Sequence, residues 1–150
     1  MAAQTYVFNA FLEAQADGTN DFTAHTYKAA LMDSGYSPDI DNDEGWNDVS
    51  ADEVTVEDGY VSGGLELADI SITRYDTTNK TVISWGAPTW TVPDTSDGLS
   101  DVAGLLVYND TLAGKLLIAY FKFALASDIT AENYFTVSPA PSVEFQNGGT

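Results

Sequence analysis

The sequence predicts a mainly β protein, an antiparallel β-sandwich or barrel-like fold with a short N-terminal α-helix. Three observations predict it. Short runs rich in β-branched and aromatic residues recur at near-regular spacing. Clusters of Gly, Pro, Asn, Asp and Ser punctuate them. Two nearly continuous apolar runs, "VAGLLVYND" and "GKLLIAYFKFA", flank "DTLAG" as strands flank a hairpin turn. A chain of 150 residues is expected to form a single domain.

Taken in order, Tyr6, Val7, Ala10, Phe11 and Ala14 recur at helical spacing and Gly18 follows, which predicts a helix over 5–16. Phe8 and Leu12 add a second apolar stripe. Such a helix is expected to make contact on two sides, the core and a partner subunit. A β-rich body over 25–146 comes next. "HTYKAALM" reads as a strand closed by the turn cluster "DSGYSP", and an acidic loop over 39–58 follows. "GYVSGGLELADISITRYD" holds two short strands, and "NKTVISW" alternates as a third. "GAPTWTVP", bounded by prolines, suits an edge. The hairpin flanking "DTLAG" supplies the two central strands, and "NYFTV" and "SVEFQ" finish the chain as short strands separated by "SPAP".

Composition excludes whole classes of function. Without cysteine there are no disulfides, thiolate metal sites or cysteine nucleophiles. Five basic residues against 23 acidic ones give a net charge of -18. Phosphate backbones require cationic grooves, so no nucleic acid is expected as a partner. An anionic membrane surface is disfavoured for the same reason. The N-terminus has neither the basic nor the apolar region of a signal peptide, and no run approaches the ~20 apolar residues of a membrane helix.

Candidate chemistry is sparse. "DIDNDEGWNDVSADEV" (39–54) opens with Asp39, Asp41 and Asp43 spaced like a calcium loop, yet Glu44 stands where an EF-hand needs glycine and Ser50 where it needs glutamate. A looser calcium site stays open; a solvated acidic loop is the plainer reading. "LMDSG" matches a homodimeric aspartic protease signature centred on Asp33, but turn propensity explains Asp33, Ser34 and Gly35 in full. His25 is the single histidine, and "GYVSGG" lacks the spacing of a nucleophile elbow. Trp46, Trp85 and Trp90 offer a sugar-stacking platform or, more simply, core aromatics. No constellation rises to an enzyme, and no cofactor or metal site is expected.

Several segments resemble a family of small phage virion proteins: "YVFNAFLEAQADG", "YKAALMDSGYSPDIDNDEGWNDVSADEV", "GYVSGGLEL" and "DVAGLLVYNDTLAGKLLIAYFKFA". The likeness runs through about Val137, and the closing "FTVSPAPSVEFQNGGT" departs from it. It implies a non-enzymatic capsid decoration (cement) protein, assembled in the host cytoplasm and bound to the outer surface of the head. The expected partners are the major capsid protein and further copies of the chain, as a dimer or trimer. Tyr6, Phe8, Phe11, Leu12 and the neighbourhood of Trp46 are the expected contacts. The alternatives are a tail, baseplate or head–tail connector subunit, or a carbohydrate-binding spike module using Trp46 or Trp90.

Overall fold

A computed structural model describes residues 2–56, 59–91, 99–129, 134–137 and 142–146. In chain order the elements are β1 (Ala2–Val7), α1 (Asn9–Asp17), β2 (Tyr27–Met32), α2 (Trp46–Val49) with a 3-10 turn (Ser50–Asp52), β3 (Leu65–Glu66), β4 (Ser71–Tyr75), β5 (Lys80–Ser84), β6 (Thr89–Thr91), β7 (Leu99–Asn109), β8 (Leu117–Ile129), β9 (Tyr134–Thr136) and β10 (Val143–Gln146). The protein is mainly β, and every strand pairing among the described residues is antiparallel. A five-stranded sheet runs β1-β8-β7-β2-β3, a three-stranded sheet β10-β5-β4, and β6 pairs with β9.

The hairpin of β7 and β8 lies at the centre of the large sheet, as its apolar runs predict. Successive side chains of a strand point to opposite faces, so a run apolar at every position requires cover on both. Leu105 and Val107 of β7, with Ala29 and Leu31 of β2, enter a first core. There they meet Phe11 of α1 together with Ile83, Trp85, Trp90 and Val143. Leu106, Tyr108, Ala30 and Met32 point the other way, into a second core with Phe8, Tyr36, Val49 and Tyr120. The register slips where Val107 faces Ala119 but Tyr108 faces Leu117. That extra residue turns both Ile118 and Ala119 into the first core while Leu117 and Tyr120 fill the second.

The N-terminus departs from the expected helix over 5–16. Tyr6 and Val7 lie in β1, paired antiparallel with Tyr120 and Ala119, and the helix begins only at Asn9. Aromatic and β-branched residues favour a pleated strand, and β8 offers them an edge to join. Phe8 is the extended residue between the two elements, and Gly18 ends α1 in the left-handed conformation.

Tyrosines crowd the cores. Burial lifts the phenols of Tyr27, Tyr36, Tyr60 and Tyr108 above their ordinary value, and pushes Tyr120 up to about 12. Tyr120 lies against the backbone of Gly104, where a Cβ would fall 2.4 Å from its ring. Gly104→Ala is therefore expected to cost about 1–3 kcal/mol in urea unfolding through overpacking. Alkali acts on the same residues with a definite sign. Unfolded tyrosine ionises near 10 and these folded tyrosines ionise higher, so their contribution is complete below about pH 10 and is lost as pH rises through the folded values. The phenolate absorbance of these five buried tyrosines is expected to rise together with loss of β-sheet circular dichroism above about pH 10, not before it.

Candidate interaction surface

The acidic stretch is not a free loop. Residues 33–54 form a strap across the second face of the large sheet, pinned at both ends. At one end Asp33 N–H donates to the Asp52 carbonyl at 2.9 Å and Val54 N–H to the Leu31 carbonyl at 3.0 Å. At the other, Gly45 bridges Leu116: Trp46 N–H donates to the Lys115 carbonyl and Leu117 N–H to the Glu44 carbonyl. Between them the Ile40 carbonyl accepts Asn9 N–H at 3.0 Å, tying the strap to the start of α1. Tyr36, Val49 and Val54 are its buried side chains, Tyr36 and Val49 in the second core and Val54 in the first. Trp46 stacks on Tyr108 with ring centroids 4.8 Å apart, and Tyr36 meets Tyr120 edge-on at 4.8 Å.

The strap's carboxylates hold its own backbone. Asp39 accepts from the N–H groups of Asp41 and Asn42, both at 3.2 Å, and from the Asn42 amide at 2.8 Å. Asp43 accepts Asp39 N–H at 2.9 Å and the Tyr36 hydroxyl at 3.1 Å. Asp48 accepts the N–H groups of Glu44 and Gly45. The Asn42 side chain and backbone N–H donors hold the Asp39 carboxyl below its ordinary value; backbone donors alone do so for Asp48. Glu53 closes the far end, accepting from the Tyr60 hydroxyl at 2.7 Å, the Ser62 hydroxyl at 3.1 Å and Gly63 N–H at 2.6 Å. The "GYVSGG" motif is thus a clamp. Tyr60 also accepts Leu31 N–H, the Gly63 carbonyl accepts the Tyr108 hydroxyl, and Gly64, at φ +76, passes too close to the Ala29 carbonyl to carry a Cβ.

The expected contact residues divide sharply. Phe8 and Phe11 are wholly buried, Phe8 in the second core and Phe11 in the first. This corrects their assignment to an interface: the Phe8 and Phe11 side chains are both covered by this same chain. Tyr6 and Trp46 are half-buried at the margin of the second core, and Leu12 is 43% exposed on α1. An open groove of about 430 Å³ lies beside α1, with Ala10, Leu112 and Leu116 as apolar lining and Glu44, Asn47 and Asp48 as polar lining. Sequence reasoning missed it because α1, the strap and the β7–β8 turn meet only in the fold.

The other motifs also find their places. Asp33 accepts Gly35 N–H at 2.8 Å, the bond of a simple turn. His25 joins a polar network in which its Nδ1 lies 2.9 Å from the Asn109 amide nitrogen, which also donates to Asn20. Trp85 and Trp90 are core residues, so neither presents a face to a sugar. Among the described residues no group of three or more His, Asp or Glu converges as metal ligands, and no helix is long and apolar enough to cross a membrane. No family model, curated protein or solved structure matches the chain.

Acid tests the strap. Asp39 and Asp48 have folded values below the ordinary carboxylate value, so what they contribute is complete above about pH 4 and is lost as pH falls through the folded values. Asp48→Asn is expected to flatten this acid limb in pH-dependent thermal melts and to lower stability at neutral pH. Trp46→Ala is expected to cost about 2–3 kcal/mol in denaturant unfolding by uncovering Tyr108.

Proposed function

We propose that this chain is a phage capsid decoration protein, bound to the outer surface of the head and bridging neighbouring major capsid subunits. We read its sheets as a sandwich whose second face is closed by the strap. The family resemblance of the segments from Tyr6 to Val137 supplies the virion context. One structural observation carries the mode of binding: the distribution of charge. Lys28, Lys115, Arg74 and Lys80 are each engaged by a carboxylate of the same chain, Lys28 and Lys115 both at Asp110. The exterior therefore has few free cations to set against its excess of carboxylates. A surface of that kind is drawn to a basic partner face and repelled by packaged nucleic acid.

The groove beside α1 is the docking element this reading favours. Its apolar lining suits an aliphatic side chain, and Glu44 and Asp48 suit a Lys or Arg next to it. Leu12 is exposed on the same helix but lies outside the lining of the groove. Docking there adds contacts available only on the assembled shell, which favours the closed lattice by mass action.

The reading is tested by adding purified protein to heads that lack it. Electron microscopy is expected to find copies over the whole head, with occupancy falling as salt screens the charges. Glu44→Lys, which reverses a carboxylate lining the groove, is expected to reduce occupancy about ten-fold while leaving the thermal melt unchanged. Copies confined to the tail or to one vertex would replace this reading with a tail or connector role.

A further inference from the structure

The large sheet is covered on both faces, but β4 is not. It is the outer strand of the β10-β5-β4 sheet, and all five of its residues are exposed. Ile72 is 51% and Tyr75 45% exposed, two of the six large hydrophobic side chains that reach solvent among the described residues. An edge strand is ordinarily blunted by proline, a bulge or a run of charge, because its unpaired N–H and C=O groups invite another strand. β4 has no proline, its register with β5 is unbroken from Ser71 to Tyr75, and Arg74 is its only charge.

Charge indicates which strand would join it. β4, β5 and their turn, together with β10 (70–84 and 142–146), hold Arg74 and Lys80 against Asp76 and Glu144, a net of zero, so the rest of the chain carries the whole -18. Two copies repel through most of their surfaces and approach most readily here. The strand is also self-complementary. In an antiparallel pair centred on Thr73, Ile72 of each copy faces Arg74 of the other and Ser71 faces Tyr75. No like charges stand directly opposite, and Ile72 lies across from an arginine stem.

We propose that β4 is a self-pairing edge: a second copy adds its own β4 antiparallel, joining two three-stranded sheets into one of six strands about a two-fold axis. The contact is isologous and closes at the dimer, so it does not propagate into fibres. Because the rest of the chain is strongly acidic, the dimer tightens as salt rises. That is the opposite sign to the salt effect expected for docking on a basic shell, and self-association needs no shell. Failure of one idea is therefore distinguishable from failure of the other.

The absence of cysteine makes a direct test possible. Thr73→Cys stands on the proposed axis, beside its own copy, and is expected to form a disulfide-linked dimer under mild oxidation. Val61→Cys, equally accessible on another surface, is expected to remain monomeric. Sedimentation equilibrium of the unmodified chain is expected to give a monomer–dimer equilibrium that shifts toward dimer between about 50 mM and about 0.5 M NaCl. Ile72→Lys, which places a lysine opposite each Arg74, is expected to weaken it about ten-fold with an unchanged thermal melt. A chain monomeric at every salt concentration, whatever other strand covers β4, overturns the proposal. So do equal cross-linking of the two cysteine variants and a dimer indifferent to Ile72→Lys.

Discussion

The structure depends on one constraint: β7 and β8 are apolar on both faces, so their sheet has to be covered twice. The small sheets and Phe11 of α1 cover one face. The other falls to a segment with only a single turn of α-helix and a 3-10 turn. A strap has few repeating hydrogen bonds of its own, yet a buried backbone must have every N–H and C=O satisfied. The protein meets that demand at two levels. Val54 N–H is met by the Leu31 carbonyl of β2, Trp46 N–H by the Lys115 carbonyl before β8, and the Glu44 carbonyl by Leu117 N–H of β8. Within the strap, Asp39, Asp43 and Asp48 accept from five further backbone donors.

This gives the acidic composition two roles that are usually separate. A carboxylate accepting several N–H bonds stabilises local geometry through charge-assisted hydrogen bonds, and while it stays exposed it also contributes to the surface field. Asp39 and Asp48 do both. The strap's acidity is thus built into the architecture of the second face, and a neutral strap would need another means of satisfying the same donors. The tyrosines complete the arrangement from inside. Tyr36 and Tyr60 each reach a carboxylate through a hydroxyl while their rings fill the core, so one side chain bonds polar cover to apolar filling.

The central hairpin was legible because its signal is local and redundant: two long apolar runs with a turn between them. The short strands from β2 to β10 were legible for the same reason, through turn residues at their ends. The N-terminal strand was not. Tyr6, Val7 and Phe8 fit a helical period as well as a strand, and the deciding partner, β8, lies far along the chain. The strap was hidden for a different reason. Its apolar residues, Tyr36, Trp46 and Val49, are too sparse and irregular to register as a core segment, while its carboxylates signal solvent. The exposure of Phe8 and Phe11 was misjudged because two apolar stripes do not reveal whether the second cover comes from a partner or from the same chain. The exposed β4 edge gave no signal at all, since a strand's neighbours are fixed by topology and not by its own pattern.

The pairing of β1 with β8 has a consequence for synthesis. Val7 meets Ala119 and Phe8 N–H donates to the Ile118 carbonyl, so β1 waits for a strand made much later before it finds its place. While the ribosome extends the chain, Tyr6, Val7 and Phe8 have no partner, and neither do the inward residues of the strap. Long-range pairing of this kind makes folding slow and leaves apolar segments waiting. What surrounds them in the nascent chain is a run of aspartates and glutamates from Asp33 to Glu53 whose mutual repulsion opposes collapse onto other chains. The same carboxylates that later fasten the strap thus keep these unpaired segments charged and hydrated until β8 emerges and β1 can close against it.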